Sequence, residues 1–145
     1  MPFCHAHLKG PRPLPPVYPQ VLTTIGDHLR KRRLDLGLLQ RDAADQLGVA
    51  HCTITSWELN RAAPSLRLIP RILRFLADDP RPAPRSVGEQ LKAARHQSGL
   101  TQESVAGLLG VDPGTLSRWE RGTRRPSQAL LDRFQALFEH ARLTS

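Results

Sequence analysis

The stretch from Ile25 to Ser65 is written again, without a gap, from Val87 to Ser127, at an offset of 62 positions. Gly26 falls on Gly88, Leu29 on Leu91, Arg33 on Arg95, Gly37 on Gly99 and Gln40 on Gln102. The match runs on through Ala44 and Ala106, Leu47-Gly48-Val49 and Leu109-Gly110-Val111, Trp57-Glu58 and Trp119-Glu120, and Pro64-Ser65 and Pro126-Ser127. A repeat of this kind takes precedence over any other fold assignment. It divides the 145 residues into two similar domains, each able to offer a helix to the same kind of partner. Modules of about 55–60 residues bury only roughly 60% of their unfolded surface, so each is expected to be marginal alone.

The boundaries follow from composition. Residues 1–22 hold Pro11, Pro13, Pro15, Pro16 and Pro19 and are expected to be an extended tail. Val17, Tyr18 and Val21 are apolar enough to lie against the first module. Cys4, His5 and His7 resemble metal ligands, but no second ligand pair sits at zinc-finger spacing, so an ordinary tail is expected. The first domain is placed at residues 23–78, a Pro-rich semi-rigid linker at 79–85 and the second domain at 86–145.

Helix signals are legible in both copies. Thr24 with Asp27 and Ser86 with Glu89 have N-cap and N3 spacing, and the second pair is expected to form a full capping box. The first helices should end near Leu36 and Ser98, where Gly37 and Gly99 can take positive φ. Second helices are expected near residues 40–47 and 102–109, the latter with a good cap in Thr101, the former with a poor one in Leu39. Third helices follow near residues 51–59 and 113–121. Asp112 and Pro113 make a favourable start, and Ala50 a weak one. Leu68, Ile69, Ile72, Leu73 and Leu76 should form the inner face of a last helix, with Leu130, Leu131, Phe134, Leu137 and Phe138 in the second copy. All elements are helical, so the fold class is all-α.

The net charge is +8, split evenly between residues 1–79 and 80–145. Both halves favour a polyanion, most simply nucleic acid. Cys4 and Cys52 make no CxxC pair, which fits a reducing cytoplasm. There is no lipidation motif, no long apolar run and no signal-peptide core, so no membrane partner is expected. A Gly-rich phosphate loop, a metal constellation and a nucleophile–base pair are all missing from the sequence. No enzyme activity and no cofactor are therefore expected.

Two short helices joined by a Gly-containing turn make a helix-turn-helix. The segment GLTQESVAGLLGVDPGTLSRWERGTRRPS strongly resembles the Cro and phage-repressor helix-turn-helix family, often called the XRE group. LGLLQRDAADQLGVAHCTITSWELNRAAPS is a more divergent member. The resemblance implies two compact bundles of four to five helices, each with a recognition helix for the DNA major groove. It points to a bacterial or phage-related transcription regulator, such as a repressor, that binds double-stranded DNA in sequence-specific fashion near the nucleoid. A homodimer or a protein partner is left open. The alternative is an antitoxin-type or adaptor protein in which one module mainly binds a protein. That reading predicts a large exposed apolar patch.

The resemblance also assigns roles. Gln40 and Gln102 would bond phosphate. In the second copy Pro113, Gly114, Ser117 and Arg118 lie on the reading face. Arg118 is the best base reader, because a guanidinium can bond guanine O6 and N7 together. Arg121, Thr123, Arg124 and Arg125 suit phosphates. In the first copy His51, Cys52, Thr55 and Ser56 occupy the reading face, and Arg61 is the one arginine of the following loop. His51 is either a solvated helix-start residue or a DNA contact. Cys52 is expected to be buried rather than a redox-sensitive thiol. Trp57 and Trp119 are expected in the cores rather than exposed for stacking. In the family the glutamate at Glu58 and Glu120 pairs with a first-helix arginine, and Arg33 and Arg95 stand at the matching positions. Of the run Arg30-Lys31-Arg32-Arg33, the other three are expected to be a solvated face, with phosphate contact at the groove edge left open for some of them. The departures at Leu39, Ala50 and Leu59-Asn60 put the first copy's DNA affinity in question.

Overall fold

A computed structural model describes residues 18–143, with eight α-helices, one 3-10 turn and no strand among them. Cys4, His5, His7 and Val17 lie outside the described residues. The first module comprises α1 (Ile25–Asp35), α2 (Gln40–Leu47), α3 (His51–Glu58), a 3-10 turn at Leu66–Leu68 and α4 (Ile69–Leu76). The second comprises α5 (Val87–Gln97), α6 (Gln102–Leu109), α7 (Pro113–Glu120) and α8 (Gln128–Leu143).

The repeat extends to the interior. Leu29, Ala44, Leu47, Ile54, Trp57 and Ile72 form the first core. Their counterparts Leu91, Ala106, Leu109, Leu116, Trp119 and Phe134 form the second, enlarged by Val105 and Phe138. The Phe134 and Phe138 rings pack tilted at 39°, with centroids 4.4 Å apart. Both tryptophans are buried. α1 crosses α3, and α5 crosses α7, at a glycine. A Cβ on Gly26 or Gly88 would run into the Trp57 or Trp119 carbonyl, so only glycine permits this approach.

The capping differs from expectation. Thr24 closes a full box: its hydroxyl accepts the Asp27 amide at 3.1 Å, and Asp27 Oδ2 accepts the Thr24 amide at 3.0 Å. Ser86 accepts the Glu89 amide, but Glu89 Oε2 accepts from the Arg85 amide instead, so the second box is only half made. Leu39 has no side-chain acceptor, and the Asp42 carboxylate bonds its amide at 2.9 Å. Thr101 and Asp112 both cap, accepting from the Ser104 and Gly114 amides.

Tyr18 lies against α1, donating to Asp35 Oδ1 at 2.5 Å with the Lys31 ammonium 5.9 Å from its ring centroid, whereas Val21 is exposed. Arg32 is not simply solvated, because its Nε donates to the Phe75 carbonyl at the end of α4. The α4 inner face is also shifted. Leu68, Phe75 and Leu76 pack on the first core, while Leu73 turns towards the second module.

The modules touch. α4 packs on α5, and a Cβ on Gly99 would lie 3.1 Å from Pro70 Cγ. Asp79 accepts from Arg81 at 2.6 Å and from Gln97 at 3.2 Å, so the connecting segment is tied to α5. The Arg81 guanidinium is the main reason the Asp79 carboxyl is lowered to about 2, against the opposing effect of burial.

Candidate nucleic-acid interface

Each module holds one buried ion pair between its first and third helices. Arg33 Nε and Nη2 donate to Glu58 Oε1 and Oε2 at 2.5 and 2.8 Å. Arg95 makes the same two bonds to Glu120 at 2.6 and 2.9 Å. All four side chains are nearly inaccessible. The remaining guanidinium nitrogen donates to a backbone carbonyl, that of Leu38 or Leu100, at 3.0 Å. Bidentate geometry with the spare donors used is the arrangement that makes a buried pair tolerable. Burial alone would raise the Glu120 carboxyl, but hydrogen bonds from Arg95 and Gln102 hold it below its ordinary value.

A third member joins each pair. Gln40 Nε2 donates to Glu58 Oε2 at 2.9 Å, and Gln102 Nε2 to Glu120 Oε2 at 2.8 Å. This link was missed in the sequence, where the glutamines stood only as phosphate ligands. The signal was present, because Gln and Glu recur at the same offset in both copies. An amide nitrogen has two hydrogens, so each glutamine keeps one N–H for another acceptor. The pair therefore fixes the side chain at the first turn of α2 and of α6. In the first module Thr55 Oγ1 also lies 3.1 Å from both Gln40 Oε1 and the His51 carbonyl. Its hydroxyl is thus drawn inward from the reading face.

The third helices present the other candidate residues. On α7, Pro113, Gly114 and Arg118 are exposed and Ser117 is half-buried. On α3, His51 and Cys52 are exposed, and Thr55 and Ser56 half-buried. Cys52 is therefore a free, exposed thiol, contrary to the expected burial. It sits in the first turn of α3, ahead of the inward-facing Ile54, so register turns it outward.

The loops after the third helices diverge. Arg121, Thr123, Arg124 and Arg125 are all exposed. Arg121 Nε reaches the Ser117 carbonyl at 3.3 Å, and Thr123 Oγ1 donates to the Arg118 carbonyl at 3.1 Å. Among the described residues, Arg118, Arg124 and Arg125 have no side-chain hydrogen bond or ion pair. In the first module Arg61 is exposed, with Ala62 and Ala63 beside it. Asn60 takes φ +55 where Gly122 takes φ +72. Its side chain accepts from Thr24 Oγ1 at 2.6 Å and donates to Asp27 Oδ1 at 3.0 Å, tying the end of α3 to the start of α1. Burial would raise the Asp27 carboxyl, yet the hydrogen bonds from Asn60, Thr23 and Thr24 hold it well below the carboxylate range.

Among the described residues no helix is long and apolar enough to cross a membrane. Two family models match: one described as helix-turn-helix over residues 29–77, and one described as helix-turn-helix domain over residues 86–139. No curated protein and no solved structure matches the chain. Two matched helix-turn-helix units, with like cores and like buried ion pairs, make this chain a tandem helix-turn-helix protein, consistent with an XRE-type regulator.

Proposed function

We propose that the chain is a sequence-specific double-stranded DNA-binding transcription regulator, working in the cytoplasm on the nucleoid, with domains at 23–78 and 86–145 joined by 79–85. The observation that supports this best is the exposed, unpaired set Arg118, Arg124 and Arg125 in the same module as a glutamine held with one N–H to spare. Arg118 would read a base edge, and Arg121, Thr123, Arg124 and Arg125 would hold phosphates with Gln102. His51, Cys52, Thr55 and Ser56 would read with less authority, and Gln40 and Arg61 would hold phosphate.

Selection of bound duplexes from a random pool, followed by salt titration on the winner, tests the reading. Five to eight phosphate contacts give a log–log salt slope of about −4.5 to −7, at about −0.9 per contact. Enrichment of no sequence, or an affinity unmoved by salt, would falsify it.

One observation favours a second reading for the first module. Leu36, Leu39 and Leu59 are about half exposed, and the aligned residues of the second module are Ser98, Thr101 and Arg121. All three flank the Arg33–Glu58–Gln40 cluster. An apolar rim there suits an adaptor role, in which the first module docks a protein while the second binds DNA. Selection would then return one half-site rather than two.

A further inference from the structure

We infer that the cleft between the two modules is a binding site for a small amphipathic anion, a carboxylate or phosphate ester with an apolar body. The cleft is about 690 Å³, within the range that takes a small organic molecule. On the first-module wall Arg67 comes from the 3-10 turn, and Arg71 and Arg74 from α4. Leu73, Ala94 and Phe138 supply the apolar surface from both modules.

Three features separate this arrangement from an ordinary solvated arginine face. First, the arginines lack counterions. Among the described residues Arg67 and Arg74 have no side-chain hydrogen bond or ion pair, and Arg71 spends one nitrogen on the Leu47 carbonyl at 2.8 Å. The acid on the rim, Asp78, forms no ion pair with them; its Oδ1 accepts from the Asp79 amide. Second, the repeat gives an internal reference. At the 62-residue offset the three positions are Ala129, Arg133 and Ala136 on α8, and Leu73 falls on Gln135. Arg67, Arg74 and the leucine are thus particular to the first copy, whereas the charge at Arg71 recurs as Arg133. Third, the apolar floor continues. Ala94 and Phe138 also line an adjoining groove between α5 and α8 floored by Leu91, Leu131 and Phe134. Arg32 of the first module, aligned with Ala94, instead reaches across to the Phe75 carbonyl. The small side chain at position 94 is what leaves room. Guanidinium groups and an aliphatic–aromatic surface lining one cleft match a ligand that carries both a negative charge and an apolar body.

The probe is decanoate, used below its micelle concentration with the full chain and followed by calorimetry and by backbone amide shifts. Saturable binding is expected, with amide shifts confined to α4, α5 and α8. Decanol, which lacks the charge, and inorganic phosphate, which lacks the body, should each bind at least about tenfold more weakly, because each loses one of the two halves of the match. The double variant Arg67→Ala/Arg74→Ala should weaken decanoate at least about tenfold, and Arg133→Ala should leave it unchanged. Ala94→Phe, which fills the floor without altering charge, should also abolish binding; circular dichroism and thermal unfolding show whether each variant keeps the fold. Non-saturable binding, equal loss in Arg133→Ala, or phosphate binding as tightly as decanoate overturns the proposal. If the double variant keeps decanoate binding and weakens only duplex binding, the arginines are DNA phosphate contacts and the proposal is equally overturned.

Discussion

The first and second modules have like cores, like ion pairs and a like chain path, yet they differ on the third helices' outer faces and in the loops that follow. Both third helices stand on the same buried arginine–glutamate pair and half-buried glutamine. The second module adds caps at Thr101 and Asp112 and a run of free arginines after α7. In place of these the first module has exposed leucines, a cap supplied backwards by Asp42 and the Asn60 ties to α1. The lesson is that the fold and the surface are set by separate groups of residues. A divergent copy can keep the scaffold while losing or replacing its polyanion face.

Removing a carboxylate from the shared pair should have the largest effect. Glu58→Ala and Glu120→Ala each strand a buried guanidinium, at a cost of about 3 kcal/mol to the module concerned. Urea unfolding of each variant measures this. A loss under about 1 kcal/mol in only one module would show that the pair does not serve both alike.

Arg118→Ala should weaken a selected duplex by about 2 kcal/mol and relax preference at one base pair, whereas Ser56→Ala, its first-module counterpart, should change affinity by under about 0.5 kcal/mol. Competition binding against single-base variants of the duplex gives both numbers. A larger effect from Ser56→Ala would reverse the assigned division of labour.

Leu39→Thr copies the Thr101 cap into the first module. It should stabilise the chain by about 1 kcal/mol, read as a higher unfolding midpoint, because a hydroxyl would meet the free Asp42 amide. No gain would mean that Asp42 already satisfies this helix start.

The smallest effect should be a near-neutral pH dependence carried by His96 of the second module. Burial, then the nearby Arg95, Arg81 and Lys92, lower the His96 pKa below 6.5, against a weaker pull from Glu120. Its Nε2 lies 3.1 Å from Arg95 Nη2 and accepts from it when the proton is on Nδ1. Protons then bind the unfolded chain more readily, so stability should fall as pH drops below about 6.5 and level off below the folded pKa. His96→Leu, which copies Leu34 of the first module, should flatten that slope in thermal unfolding between pH 7.5 and 5. An unchanged slope would place its origin elsewhere.

Much of the scaffold was legible in the sequence, because periodic apolar positions, helix-start residues and glycines act locally. The ends of α1 and α5 at Leu36 and Ser98 follow from such signals. What escaped depends on distance or on competition between neighbours. Glu89 had two amides within reach and took that of Arg85. The outward turn of Cys52 follows from the register of α3, which a weak cap at Ala50 left loosely set. Leu73 reads as core by spacing alone, since no periodicity distinguishes a module's own interior from the surface of its neighbour. The glutamine links were hidden for a related reason: a residue with two donors can serve the interior and a ligand together, and a family role names only one of these.

One chain carries both helix-turn-helix units, and the close approach of Gly99 to Pro70 and the Asp79–Gln97 hydrogen bond hold them side by side. Their encounter is intramolecular, so it occurs at a constant effective concentration and does not dissolve on dilution. Single-module proteins that must first find a twin respond to their own abundance with a threshold. Here the second unit arrives with the first, so on the proposed reading occupancy of a two-part site should track copy number in a graded way, down to very few molecules per cell.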